Sequence, residues 1–207
     1  MKLYTFRRAL SPRRVALYLA EKKLSLTTIE MDVVAGDNRA PAFLAKNPLG
    51  RVPVLELDDG RTLTESDAII EYLEELHPDP PLIGRDAWQR AKTREAERVI
   101  ELGMLVPLYT IFKHTHESYV GKLAQAPAVA ASQRAQFYEH AAIVDGWLAH
   151  CKYVGGESLT VADLTLLLAV DICAFMGCAI DAATLPHLSR WSAAMHARDG
   201  VNRGWEE

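Results

Sequence analysis

Apolar positions along the chain change spacing three times, and each change predicts a different element. Residues 2–6 (KLYTF) are short, aromatic and followed by polar residues, which predicts a strand. Over 12–24 the apolar positions recur at helical spacing. Val15, Tyr18 and Leu19 share one face, and no Gly or Pro follows Pro12. LTTIEMD (26–32) is β-branched and alternating, which predicts a second strand. AGDNRAPAFLAKNPLG predicts a turn, a short helical piece and a tight loop at NPLG. VPVLELDDGRTL then predicts two strands joined at the DDG turn. From Thr64 to Leu76 the spacing is helical again, with Ile69, Tyr72, Leu73 and Leu76 on the buried side.

This β-α-β-(α)-β-β-α order makes one small sheet with helices packed on it. HPDPPLIG (77–84) holds Pro78, Pro80 and Pro81, which cannot continue a helix and form a stiff connector. Beyond it the pattern is helical. Residues 86–119 are long and periodic, and Pro107 is expected to bend or split them. Residues 127–150 predict another helix. Residues 160–176 are nearly all apolar, as a helix buried on every side is. Residues 186–198 predict a last amphipathic helix. The expected organisation is an α/β domain over 1–78, a linker over 79–86 and an all-helical domain over 87–207.

Composition narrows the function only slightly. At 207 residues and net charge -4, the chain has no general attraction for nucleic acid or an anionic membrane. The N-terminal MKLYTFRRAL has no apolar stretch long enough for a signal sequence. The most apolar segment carries Asp163, Asp171 and Asp181, which lipid disfavours. Cys151, Cys173 and Cys178 make an odd count with no compact framework, which points to a reducing, cytoplasmic setting. His114 and His116 are two apart and do not share a helix face. No third ligand stands at a sensible spacing, so no metal is expected.

Three segments suggest chemistry. Thr64 and Asp67 have capping-box spacing, which places Glu65 and Ser66 in a first helical turn with unpaired N–H groups. A carboxylate suits those N–H groups, and Glu65 suits an ammonium. A zwitterionic amino-acid end meets both needs, although a well-capped helix alone also explains the pattern. Pro53 beside a strand start interrupts the ladder; a cis bond there turns the Val52 N–H and C=O outward, ready for a peptide-like ligand. Thr160 and Asp163 form a second capping box, flanked by Leu159 and Leu164 at the staple positions. It reads as structural. Trp191 reads as a packing anchor.

The motifs KLY, RRVALYLAEKKL, NPLGRVPVLELDDGRTLTESDAIIEYLEELHP and GGESLTVADLTLLLAV resemble the cytosolic glutathione transferases of the bacterial, theta/zeta-like kind. The resemblance spans nearly the whole chain. It implies a thioredoxin-like α/β first domain, an all-α second domain, a homodimer, and glutathione bound mainly by the first domain. Residue by residue, it implies that the Val52 backbone pairs with the cysteinyl part and that Pro53 is the cis proline. Glu65 and Ser66 would hold the γ-glutamyl end, with Arg51 and, more remotely, Arg39 near the glycyl carboxylate.

RRALSPRRV (7–15) departs from that pattern. Relatives keep an activating Ser, Cys or Tyr six positions before the valine of the Arg-Val pair. Here that position is Ala9, which has no donor. Ser11 stands where a serine/cysteine run ends in zeta-like relatives, which makes it a displaced activator. As Ser before Pro12 it also fits a helix N-cap. Arg7, Arg8 and the N–H groups of residues 10 and 11 are alternative thiolate partners, Arg8 foremost. Arg14 reads as structural and Tyr4 as core. For a small hydrophobic or acidic electrophile, the expected wall lies between this loop and the long helix. Met104, Tyr109, Phe112 and His116 are the candidates, although residues of this kind on a helix more often serve as core.

Overall fold

The computed structural model describes residues 1–201, and the chain divides into two units after Pro81. The first holds β1 (Lys2–Thr5), α1 (Leu10–Lys22), β2 (Thr27–Glu30), a 3-10 turn at Asp37–Arg39, α2 (Pro41–Leu44), β3 (Val54–Glu56), β4 (Thr62–Thr64) and α3 (Ser66–Leu76). The strands lie in the order β2-β1-β3-β4. β1 is parallel to β2 and antiparallel to β3, and β4 is antiparallel to β3.

Alternation along β1 gives this sheet two buried faces. Leu3 pairs in register with Leu55 on one face, and Tyr4 with Val54 on the other. Val15, Leu17 and Tyr18 of α1 and Ile69, Ile70 and Leu73 of α3 are fully or almost fully buried, and the two helices pack together. Met31, Phe43 and Val54 form a core on the opposite side, with Tyr4, Ile29, Val33 and Val52 packed on it. Leu76, expected inside, is 48% exposed. It is the last residue of α3.

Two ion pairs lock α1 to α3. Arg14 is buried and donates to the Asp67 carboxylate. At the other end of α1 the Lys22 ammonium lies 2.7 Å from Glu74, with side-chain exposures of 0% and 2%. Tyr18 donates to the same carboxylate at 2.8 Å, and Lys22 also donates to the carbonyls of His77 and Pro80. A buried pair survives desolvation only when its remaining protons are satisfied in this way. The described residues from Asp199 on group with this unit, and Gly200 packs against the Glu21 side chain.

The second unit is helical: α4 (Ala87–Ile100), a π-turn at Glu101–Leu105, α5 (Val106–Thr115), a 3-10 turn at Glu117–Tyr119, α6 (Pro127–Leu148), α7 (Val161–Cys173) and α8 (Pro186–His196). The expected disruption by Pro107 takes a specific form. The helical path is not split: one wide turn precedes the proline, and the carbonyl of Leu102, five residues before Pro107, accepts from Gln136 Nε2 at 3.3 Å instead of from the N–H that proline lacks. Gly103 lies in that π-turn because the His140 ring occupies the space of a Cβ: an atom there would sit 2.0 Å from Cδ2.

Residues Val161–Ala169 of α7 are all buried. Water cannot reach the first turn, so the chain satisfies it internally. Asp163 Oδ2 accepts from the Thr160 N–H at 3.0 Å and from its hydroxyl at 3.1 Å. Asp163 Oδ1 accepts from the Val154 N–H at 3.0 Å and from Trp191 Nε1 at 3.2 Å. The capping box is thus a four-donor hub joining a loop, α7 and α8. Among the described residues no helix is long and apolar enough to cross a membrane.

Candidate functional site

Strand direction gathers the candidate residues of the first unit at one end of the sheet. β1 runs out toward Phe6. Its register with β3, Tyr4↔Val54, carries Val52 to that same end, and the register Val54↔Thr64 carries Ser66 there too. The loop after β1, the chain entering β3 and the start of α3 therefore meet at the carboxyl end of β1, where open α/β sheets place ligands.

The loop after β1 is a tight turn closed by Ala9 N–H to Phe6 C=O at 2.9 Å. It starts α1 at Leu10 with Ala9 as N-cap. This overturns the capping reading of Ser11. Ser11 sits one residue inside the helix, exposed, and Pro12 is buried behind it. The turn, rather than the Ser-Pro dipeptide, sets the helix phase. Ala9 can serve because no side-chain acceptor is used there. The N–H groups of Leu10 and Ser11 belong to the first turn and have no acceptor within the helix. Arg7 is held by Glu30, through a backbone bond of 3.0 Å and a loose, exposed ion pair of 3.9 Å. Arg8 is exposed and has no ion-pair partner among the described residues.

The Val52–Pro53 peptide is cis. Val52 precedes β3 and lies outside its paired register; it is half-buried, and Pro53 is buried. The expected capping box at Thr64 does not form. Thr64 is the last residue of β4, paired with Val54, and the Asp67 carboxylate is taken by Arg14. Glu65 becomes the N-cap instead, with φ 69° and its side chain exposed. A non-glycine residue held in that region costs about 1–3 kcal/mol, and such residues cluster at ligand sites. Ser66 is buried at the first position of α3. A helix start with a carboxylate and a hydroxyl beside it accommodates both charges of an amino-acid end.

Arg51 and Arg39 are both exposed. Arg39 donates to the Leu49 carbonyl at 3.3 Å and lies against Gly50, whose φ of +58° and lack of a Cβ admit the guanidinium. Asn38 and Asn47 tie this loop down by donating to the carbonyls of Gly50 and Arg51. Tyr4 lies edge-on to Phe43 and donates to Glu56 at 2.7 Å, next to Lys46. It is thereby committed to packing.

In the second unit, Met104 is fully buried and offers no surface to a ligand. Tyr109, Phe112 and His116 are at least partly exposed. They belong to an aromatic group that also takes in Tyr119 and Phe175. Phe112 lies 4.4 Å from His116, 5.6 Å from Tyr119 and 6.1 Å from Phe175 between ring centres. The Tyr109 and Tyr119 hydroxyls are 3.4 Å apart, and Lys113 lies over the Tyr109 ring. The hydrogen bond with Tyr109, and after it burial, push the Tyr119 phenol up to about 12. Tyr119 continues the Phe112–His116 spacing and was detectable in principle. Phe175 lies on the turn after α7, and nothing local marks it. His116 is the C-cap of α5, and its Nδ1 accepts from the Ser118 N–H at 3.2 Å. His114 Nδ1 accepts from the Ala126 N–H at 3.1 Å. Each ring thus has one nitrogen committed to the backbone. Among the described residues no group of three or more His, Cys, Asp or Glu could hold a metal.

Comparison with known proteins agrees with this architecture. The families described as glutathione S-transferase N-terminal domain and C-terminal domain match residues 3–81 and 108–199. Maleylacetoacetate isomerase of Pseudomonas aeruginosa is 47% identical over 96 residues, a stretch spanning 45% of this chain and 45% of that one. Glutathione S-transferase 2 of Saccharomyces cerevisiae is 30% identical over 93% of this chain and 84% of its own. The crystal structure of Gtt2 from the same yeast superposes with a TM-score of 0.89 at 29% identity, covering 99% of this chain and all of that one. A glutathione S-transferase domain-containing protein from Marinobacter aquaeolei superposes at 0.90 with 31% identity, covering 97% of this chain and all of that one. With this two-domain α/β plus all-α fold and these similarities along nearly its full length, the chain belongs to the glutathione S-transferase family.

Proposed function

We propose that the chain binds glutathione at the carboxyl end of β1 and directs its thiolate at a small hydrophobic or acidic electrophile. The observation that carries this reading is the convergence of the Phe6–Ala9 turn, Val52 and the Glu65–Ser66 helix start at one sheet end. When bound, the peptide supplies the nucleophilic sulfur. The chain's own groups orient it. The Val52 main chain beside cis-Pro53 offers strand-like hydrogen bonds. Glu65 takes the ammonium, while Ser66 and the first-turn N–H groups of α3 take the neighbouring carboxylate. Arg51 and Arg39 serve the far carboxylate. With the cap supplied by Ala9, the Ser11 hydroxyl is not needed for capping, and with Arg8 it is our choice for lowering the thiol pKa. Tyr109, Phe112 and His116 are assigned to the electrophile.

The test is a thiol titration of bound glutathione. A depressed pKa is expected, rising by about one unit in Ser11→Ala or Arg8→Ala as one stabilising contact is lost. Tight binding with an unshifted thiol would instead mark a non-catalytic binding module, the outcome that donor-less Ala9 favours. The match to a maleylacetoacetate isomerase favours a second reading, a glutathione-dependent cis–trans isomerase. Turnover of a cis-configured acidic dienone without net consumption of glutathione separates it from conjugation. We extend the proposal to a homodimer, checked by sedimentation equilibrium.

A further inference from the structure

We propose that Cys173 and Cys178 form a reversible dithiol–disulfide site on the turn that carries Phe175. The inference concerns the second unit alone and does not rest on the glutathione site. α7 ends in a full Schellman motif. The Cys178 N–H donates to the Cys173 carbonyl at 2.8 Å, and the Gly177 N–H to the Ala174 carbonyl at 3.0 Å. Gly177 supplies the left-handed residue this motif needs, with φ 71°. The two positions whose side chains such a motif commonly brings together are the residue whose carbonyl accepts the six-to-one bond and the residue whose N–H donates it. Here both are cysteines. The connecting hydrogen bond limits their Cα separation to about 6.7 Å, inside the range a disulfide spans. A pair brought together by an ordinary helix stop needs no rearrangement of the fold to oxidise.

The surroundings distinguish the two sulfurs. Arg134 Nε donates to the Gly177 carbonyl at 3.1 Å, which fixes its guanidinium beside the turn. The Arg134 charge beside the turn opposes the rise that burial causes at the Cys178 thiol. Burial and the neighbouring Cys178 push the Cys173 thiol up to about 11. Cys178 is therefore the attacking thiolate and Cys173 the resolving thiol. The oxidant class is a low-molecular-weight disulfide, R–S–S–R. Cys178 Sγ forms a bond to one sulfur of that disulfide and RS⁻ leaves. Cys173, giving its proton to the expelled thiolate, then attacks Cys178 Sγ and releases the second RS⁻. Two protein thiols are oxidised and one small disulfide is reduced to two thiols. The ring so closed fixes Phe175, which is 70% exposed and lies 6.0 Å from His116 and 6.1 Å from Phe112.

Both cysteines are buried beneath exposed Ala174, Phe175 and Gly177, so exchange waits on opening of the turn and is slow. The test is equilibration of the reduced full chain with glutathione and glutathione disulfide in varied ratio, followed by alkylation in denaturant and mass analysis. The expected product is a chain lighter by two hydrogens, with a cross-link within residues 173–178, abolished by Cys178→Ser. Cys173→Ser is expected to stop at the mixed disulfide on Cys178. Circular dichroism melting of both variants confirms that they fold. Full alkylation of Cys173 and Cys178 at every ratio, or a mixed disulfide on Cys151 alone, overturns the proposal.

Discussion

Replacing Asp163 by Asn tests whether the hub at the start of α7 works by its charge or by its shape. The side chain keeps its volume, but one oxygen becomes a donor. Placed at the Oδ2 position, the new amide faces the Thr160 N–H; the Thr160 hydroxyl can turn to accept, but the N–H cannot. At the Oδ1 position it strands both the Val154 N–H and the Trp191 Nε1–H. Either way at least one buried donor loses its acceptor, for a cost of about 1–3 kcal/mol, and the charge-assisted strength of the others is lost too. A total of about 3 kcal/mol at pH 7 lowers the melting temperature of a chain this long by roughly 6–12 °C. The pH dependence is the sharper measurement. Burial pushes the Asp163 carboxyl from its ordinary 3.8 up to about 6, while its four donors pull it back. A carboxyl that holds its proton more tightly when folded adds stability that is complete below pH 3.8 and lost as pH rises through 6. That difference is about 3 kcal/mol, so the cost of Asp163→Asn is expected to grow as pH falls from 7 to 4.5. Other titrating groups cancel in the wild-type-minus-variant difference. Denaturation followed by Trp fluorescence at several pH values measures it. A cost that stays flat or shrinks on acidification shows that the donors outweigh burial, and the reasoning fails.

Lys22→Met removes the ammonium paired with the buried Glu74 carboxylate and is expected to cost about 3–5 kcal/mol in urea denaturation. Lys22→Met/Glu74→Leu should recover much of that loss, and no recovery would contradict a buried-charge origin. Glu65→Gln should weaken glutathione binding about tenfold in titration calorimetry, as expected when a charged hydrogen bond to an ammonium becomes neutral, with the melting temperature unchanged. An unaltered affinity removes Glu65 from the site. Gly103→Ala puts a methyl group against the His140 ring and should cost about 1–3 kcal/mol. In a His140→Ala background the same change should cost almost nothing, and an equal cost in both backgrounds would place the constraint in the backbone of the π-turn.

What the sequence disclosed, and what it concealed, divides by the range of the interaction that decides each feature. The DDG hairpin, the Thr160–Asp163 box and the burial of the first nine residues of α7 follow from residues a few positions apart, and the structure reproduces them, although α7 ends at Cys173 and its last turn is half-buried. The capping box expected at Thr64–Asp67 fails because partners from other elements claim both of its groups. Thr64 is drawn into pairing with Val54, and Asp67 is drawn to Arg14 from another helix. The same interaction explains why Arg14 can sit in the early turns of α1, against the helix dipole: it is buried on an acid that no local pattern connects to it. Ser11 is the instructive case for function. Its Ser-Pro dipeptide is a valid helix start taken alone, yet the Phe6–Ala9 turn starts the helix earlier. Removing the cap role leaves an exposed hydroxyl one residue into a helix whose first N–H groups lack acceptors, at the sheet end where Val52 and Ser66 also arrive. A serine that stabilised the helix would be bound to its own backbone. Because Ala9 takes that position, neither the hydroxyl nor the first-turn N–H groups are used up in capping, which is why the proposed function turns to them.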